Sequence, residues 1–298
     1  MPSLIDLRRR IRSVKNTQQI TKAMKMVAAA KLRRAQERVL AARPYSEIYS
    51  RMLADVAAAV SSAGSEVNHP LLAAREEKRI LLILVTSDRG LAGAFNANLT
   101  KAAQVFINEH KNASFVIEAV GRKGRDYFHR REMKFSGEHI GIVDKARFAD
   151  AVAIGKSAAS AFAEERVDAV YLIYNEFRSV MTQQLTITQL LPVAVSGSAE
   201  PKDYIFEQPP AQLLGNLLPK YVETGIYRAM LESSASEHAA RMTAMEAEHH
   251  KCGRRHRRLD AALEPGAPGQ HYKRNYRNRQ RRRRFGLNRS YHRNVHHR

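Results

Sequence analysis

Residues 11–36, IRSVKNTQQITKAMKMVAAAKLRRAQ, contain neither glycine nor proline and are rich in Ala, Met, Lys and Arg, all good helix formers. Helix formers continue through Ala42, Pro44 marks a candidate kink, and 45–60 is again helical in pattern. Continuous over about 55 residues, such a helix is roughly 80 Å long at 1.5 Å per residue. No small domain buries that length, so the helix must lie against another long element. Leu4, Leu7, Ile11 and Val14 recur at spacings of three and four, and Ile20, Met24 and Val27 resume the stripe after a slip. That is a narrow seam of coiled-coil type rather than the wide apolar face of a globular helix.

From Arg79 the pattern changes. ILLILVTS is a continuous apolar run of buried-strand type, followed by a helix over 92–111 and a strand at Ser114–Val120. A helix over 146–165, a strand over 168–174 and an alternating edge strand over 179–190 complete the middle of the chain. Strands alternating with helices predict an α/β unit with a mostly parallel sheet covered on both faces. The stretch LLPKYVETGIYRAMLESSASEHAARMTAMEA, 217–247, predicts a second long helix with Val222, Ile226, Met230 and Leu231 on its stripe. The expected organisation is therefore a first helix over 1–60, a linker over 61–78 and the α/β domain over 79–200. A loop over 201–216, the second helix over 217–247 and a basic tail over 248–298 follow. Two long helices flanking one compact unit suggest an antiparallel pair projecting from it.

Charge is unevenly spread. The chain carries +21, but the part from Lys251 onward holds 16 Lys and Arg against Asp260 and Glu264, while 34 basic and 27 acidic residues precede it. The single cysteine, Cys252, excludes an internal disulfide. The first residues lack the apolar run of a signal peptide, and Ile80–Val85 is far short of the roughly 20 apolar residues a membrane helix needs.

No constellation reads as catalytic, and none calls for a cofactor. SDRGLAG, 87–93, lies between a strand and a helix, where α/β folds often cradle phosphate, but it has neither GxGxxG spacing nor a following Lys-Ser/Thr. A tight turn with a surface contact role is the better reading, with Asp88 a candidate cap for the next helix. GRKG at 121–124 reads as a weaker turn of the same kind. His249–His250 and His296–His297 have no framework that would fix a metal. Met24 and Met26 suit a packing surface that re-packs against changing partners.

The stretch IRSVKNTQQITKAMKMVAAAKLRRAQ, the central SDRGLAGAFN and the late YVETGIYRAMLESSASEHAARMTAM together resemble the gamma subunit of F-type ATP synthase, in the family's order, over residues 1 to about 247. The resemblance implies a central rotor shaft made by an antiparallel coiled coil of the two terminal helices, with a Rossmann-like α/β domain at its foot. It implies alpha and beta subunits around the shaft, and an epsilon subunit and a ring of c subunits at the foot. It also implies catalysis in the partners, and a peripheral place on the cytoplasmic face of a bacterial inner membrane. Matched by motif, the resemblance implies that Met24 and Lys25 on the first helix and Glu237 and Arg241 on the second would face the ring. Ser87, Asp88 and Arg89 are contacts from the central motif, and Tyr204 and Glu207 lie at the foot.

The tail departs from the family, and two readings stand. Arg281–Arg284 with Tyr272, Tyr276 and Phe285 make a basic arm able to bind nucleic acid through phosphates. The alternative is a change of reading frame just before His249. Taking bases two and three of each possible codon with base one of the next, Glu264–Gln270 can encode NRVRQAS and His271–Arg282 can encode ITKEIIEIVSGA, strings that resemble the family's ending.

Overall fold

The computed structural model describes residues 4–62, 69–194 and 208–263. Tyr204 and Glu207 lie outside these. Two helices dominate, α1 (Leu4–Ser62) and α5 (Pro210–Leu263), and the chain between them in sequence forms a five-stranded sheet. In chain order the intervening elements are β1 (Arg79–Val85), α2 (Phe95–Glu109), β2 (Ser114–Val120), α3 (Arg122–His129), β3 (Lys134–His139), α4 (Phe148–Ala163), β4 (Ala169–Phe177) and β5 (Gln183–Leu191). Among the described residues, those within 22–247 pack as one compact unit, and 4–21 with 248–263 as a second.

The sheet order is β3-β2-β1-β4-β5. The first four strands are parallel, and β5 runs antiparallel along the edge of β4. This is a doubly wound arrangement with its switch point between β1 and β4. Ile80, Leu82 and Leu84 of β1 face a core closed by α2 and α3, through Phe95, Leu99, Phe106 and Phe128. Leu81, Ile83 and Val85 face the other way, into a core shared by α4, α1 and α5. Both faces of β1 are therefore dry, which is why its sequence is an unbroken apolar run. At the start of the switch point, the buried Asp168 takes the Arg79 amide at 2.8 Å and its Nη2 at 2.7 Å, pinning β4 to β1.

Two elements were not foreseen. The stretch RKGRDYFH after Gly121 is a helix rather than a turn, and KFSGEH is an edge strand. Two glycines disguise the first. Gly121 has φ +110°, and a Cβ there would lie 2.2 Å from the Thr86 carbonyl oxygen, while Gly124 sits inside the helix because the Thr86 side chain occupies the space. The alternation in β3 is polar because the strand has only one neighbour and little to bury.

The long helices need larger corrections. One stripe of shielded positions on α1 steps alternately by four and three from Leu7 to Val60, with no slip, and Met24 lies half-buried beside it. Gln18, Thr21 and Lys25 continue that stripe into Ala28 and Leu32, while Ile20 and Val27 lie on the exposed face. The apolar residues misled the reading because the seam accepts small and polar residues where the helices approach closely. Pro44 stays within α1. It costs the Leu40 carbonyl its helical donor, and Leu40 is exposed, so water can serve that oxygen.

The second helix starts at Pro210, inside the expected loop, because proline suits the first helical position. It does not stop at Ala247 but continues to Leu263. Beyond Ala247, Arg, Lys, Ala and Leu sustain it, Gly253 weakens it by roughly 1 kcal/mol, and Pro265 and Gly266 follow in sequence.

Within 22–247 the helices are antiparallel. Lys25 meets Glu246 at 2.5 Å and Arg43 meets Glu232 at 2.9 Å, so rising numbers on α1 face falling numbers on α5. In the other unit, His249 Nδ1 reaches the Gln18 carbonyl at 3.0 Å, and a Cβ at Gly253 would touch Gln18. Cys252 is buried there as a free thiol.

Candidate functional site

The carboxyl ends of β1 and β4 flank the crevice in which doubly wound folds hold their ligands. Here α5 lies in it. Ser233 Oγ reaches the Val85 carbonyl at the end of β1 at 3.5 Å, and Ser236 Oγ donates to the Asn175 carbonyl on β4 at 3.1 Å. Every residue from Leu231 to Ala239 is buried. The run LESSASEHA looks solvated in sequence, yet its small side chains are what let a helix settle against strand ends. No charge or motif advertised this; a cluster of Ser and Ala inside an otherwise long-chained helix was the available signal.

The SDRGLAG loop closes the same edge. Ser87 is buried, its amide donates to Asn96 Oδ1 at 3.0 Å, and its hydroxyl donates to the Arg89 carbonyl at 2.6 Å. Asp88 does not cap α2. Its Oδ1 accepts the Arg122 amide at the start of α3 at 3.0 Å, and its Oδ2 accepts the Gly141 amide after β3 at 3.0 Å. One carboxylate thus joins the loops that follow three adjacent strands.

The next two amides of α3 are also engaged, Lys123 with the Ser87 carbonyl at 3.0 Å and Gly124 with Thr86 Oγ1 at 2.9 Å. A phosphate at a helix N-terminus needs those amides free. The protein's own carboxylate and hydroxyl fill the place, so the turn is a staple.

Along the α1 side runs a cleft of about 710 Å³ lined by Met24, Val27, Lys31, Asp88, Arg89, Leu91, Arg122, Asp144, Glu237, His238 and Arg241. Five of the nine sequence-predicted residues therefore converge on one feature. Met24 is half-buried and Arg89 exposed, while Glu237 and Arg241 are turned inward. Arg241 Nη2 donates to Glu237 Oε1 at 2.5 Å and to the Gly90 carbonyl at 3.3 Å, and its Nη1 donates to His238 Nδ1 at 3.4 Å. Lys25 is not in the cleft but pairs with Glu246, both about two-fifths exposed.

The electrostatics follow from burial. Burial pushes the Glu237 carboxyl above its usual range, and Arg241 only partly opposes this. Burial likewise lowers His238, against the pull of Asp144 and with help from the Lys31 and Arg241 charges, so its imidazole is neutral near pH 7. Arg241 supplies Nδ1 with a proton donor, leaving Nε2–H to donate to Asp144 Oδ1 at 2.9 Å. Burial raises Asp144, but the Lys31 ammonium, at 2.5 Å from Oδ2, and His238 outweigh it and hold the carboxyl below its ordinary value. The result is a chain of mutually satisfied charges between α1, the sheet domain and α5. It can hold helices in place, and it lacks a poised base or nucleophile.

Comparison with known proteins agrees with this geometry. Residues 3–263 match the family model described as ATP synthase. The chain is 60% identical over 246 residues to the ATP synthase gamma chain of Solibacter usitatus, covering 83% of this chain and 86% of that one. It is 46% identical over 249 residues to the ATP synthase gamma chain of Pelotomaculum thermopropionicum, with the same coverage. Among solved structures it resembles a chain of the Tetrahymena thermophila mitochondrial ATP synthase central stalk and c-ring, at 27% identity and a TM-score of 0.56. That likeness covers 76% of this chain and 98% of the other.

Proposed function

Because this chain belongs to the ATP synthase gamma-chain family, we propose that it is the central-stalk rotor subunit, which couples ion flow through the membrane sector to ATP synthesis in partner subunits. The observation that carries this reading is the seating of α5 in the switch-point crevice. The position that would bind a nucleotide binds a shaft, so the fold presents two paired helices instead of a reaction site. An asymmetric pair inside a ring of alpha and beta subunits meets each catalytic subunit with a different face. Turning it changes each site in sequence, and the chemistry stays with the partners.

Epsilon and the c-ring are the partners at the foot. Among the described residues no helix is long and apolar enough to cross a membrane, so attachment runs through those partners. The cytoplasmic face of a bacterial inner membrane is our placement, supported by the bacterial relatives. For ring contacts, the exposed Met26, Val27, Arg89 and Leu91 beside Met24 are the available surface, while Glu237 and Arg241 act from beneath it. Nothing in the family match or the fold supports a nucleic-acid role for the tail.

The tail from about His249 is, in our reading, the product of a frame change. Abrupt Arg and His enrichment and the family-like strings in the alternative frame support it. The helix to Leu263 then carries an accidental sequence, and Arg-rich sequence stands after it in place of the family's ending. Weaker assembly and looser coupling follow. Sequencing the gene tests the frame change: an alternative frame that does not read NRVRQAS and ITKEIIEIVSGA overturns it. Co-purification with alpha and beta subunits tests the rotor reading, and a chain that never enters their complex contradicts it.

A further inference from the structure

We propose that Asp144 is the positioning residue that makes α1 and α5 turn with the α/β domain as one body, each carboxylate oxygen holding one helix. Asp144 belongs to the domain, in the short 3-10 turn Val143–Lys145 between β3 and α4. Its Oδ2 takes Lys31 of α1 and its Oδ1 takes His238 of α5. The turn is itself anchored, since Val143 and Ala146 are buried in the core shared with both helices, and the Arg38 guanidinium donates to the Ala146 carbonyl.

A second carboxylate makes the same three-way connection. Glu232 of α5 holds Arg43 of α1 and the Phe177 amide at the end of β4. Lys31 and Arg43 are about 18 Å apart along α1 at 1.5 Å per residue. One connection would let a helix pivot on the domain, whereas two separated ones fix its direction. Apolar packing between the same elements is non-directional, and the other directional ties to the domain come from Arg38 and Arg43 on α1 and from Ser233, Ser236 and Arg241 on α5. The consequence for torque rests on the rotor reading; the geometric claim does not.

The test uses the full chain with Cys252→Ser and spin labels at Lys101→Cys on α2 and either Met26→Cys on α1 or Ala247→Cys on α5. The parent gives a single distance population for each pair. Asp144→Ala gives a second population for both pairs. Amides of α1 around Lys31 exchange hydrogen roughly two- to fivefold faster, the size expected for losing an ion pair that is about two-fifths exposed. Asp144→Asn keeps the volume but only one acceptor oxygen, so it loosens one helix and remains informative if the alanine variant does not fold. Asp144→Glu restores the parent distances. Thermal melting is recorded alongside. If Asp144→Ala or Asp144→Asn lowers the melting temperature while both distance populations and the α1 exchange rates stay as in the parent, Asp144 is an ordinary stabilising contact and the proposal is wrong.

Discussion

Replacing Glu232 with alanine removes the most deeply placed charge in the α1–α5 pairing. The carboxylate side chain is 0% exposed and its Arg43 partner 30% exposed. It accepts Arg43 Nε at 2.9 Å, Arg43 Nη2 at 3.1 Å and the Phe177 amide at 2.9 Å, with Arg228 Nε at 3.9 Å. Truncation leaves the buried Phe177 amide without its acceptor, at about 2 kcal/mol. It also leaves Arg43 with only the Phe177 carbonyl, 2.7 Å from Nη2. Breaking a fully buried pair costs roughly 3–5 kcal/mol, and the partial exposure of Arg43 reduces its share to about 1. The lost methylene adds about 1 kcal/mol. The sum is about 4 kcal/mol, or roughly 10 °C in the midpoint of a domain this size. Urea and thermal melts followed by far-ultraviolet circular dichroism measure it. Glu232→Leu combined with Arg43→Met should recover about half, since an apolar pair replaces the ions while the Phe177 amide stays unmet. A loss below about 1 kcal/mol for Glu232→Ala would show that the carboxylate is not dry and refute the reasoning.

Other outcomes follow from the same geometry. Gly121→Ala places a Cβ 2.2 Å from the Thr86 carbonyl at φ +110° and should cost at least about 3 kcal/mol, read as loss of soluble folded chain. Asp88→Ala uncaps Arg122 and Gly141 and should cost about 2 kcal/mol, and neither it nor the parent should bind ATP in calorimetry, because the other amides of α3 remain engaged. His238 is held below its unfolded value near 6.5, so below that pH the unfolded chain takes up the proton first and stability falls on acidification. His238→Gln should flatten that limb of a pH–stability curve, leaving the loss below about pH 4 that Asp144 causes on protonation. Glu237 acts with the opposite sign: its raised value means stability falls as pH climbs from about 4.5 through the folded value.

Much of the architecture was legible because burial on both faces leaves an unmistakable apolar run, as in β1, and because α1 offers helix formers with no breaker for most of its length. The register of the shaft was not. Ile20 and Val27, the large apolar residues, suggest one period, whereas the shielded seam passes through Gln18, Thr21 and Lys25. The site was half legible. Asp88, Glu237 and Arg241 do converge with Met24 and Arg89 on one cleft, but sequence could not say that two of them face inward. Nor could it say that Asp144, an ordinary loop aspartate, joins the helices. Ser233 and Ser236 were invisible as contacts because their partners are backbone carbonyls on strands about 60 and 150 residues away in sequence, and long-range pairing leaves no local period.

The central claim is that both helices turn together inside a catalytic ring. The most direct measurement attaches a bead at Lys101→Cys in a complex assembled with alpha and beta subunits. A Lys25→Cys/Glu246→Cys disulfide joins the two helices, and rotation is watched under ATP. The account predicts unidirectional rotation, unchanged by the disulfide because α1 and α5 move as one body. A complex that hydrolyses ATP while the bead stays still, or one that the disulfide stops, would contradict it.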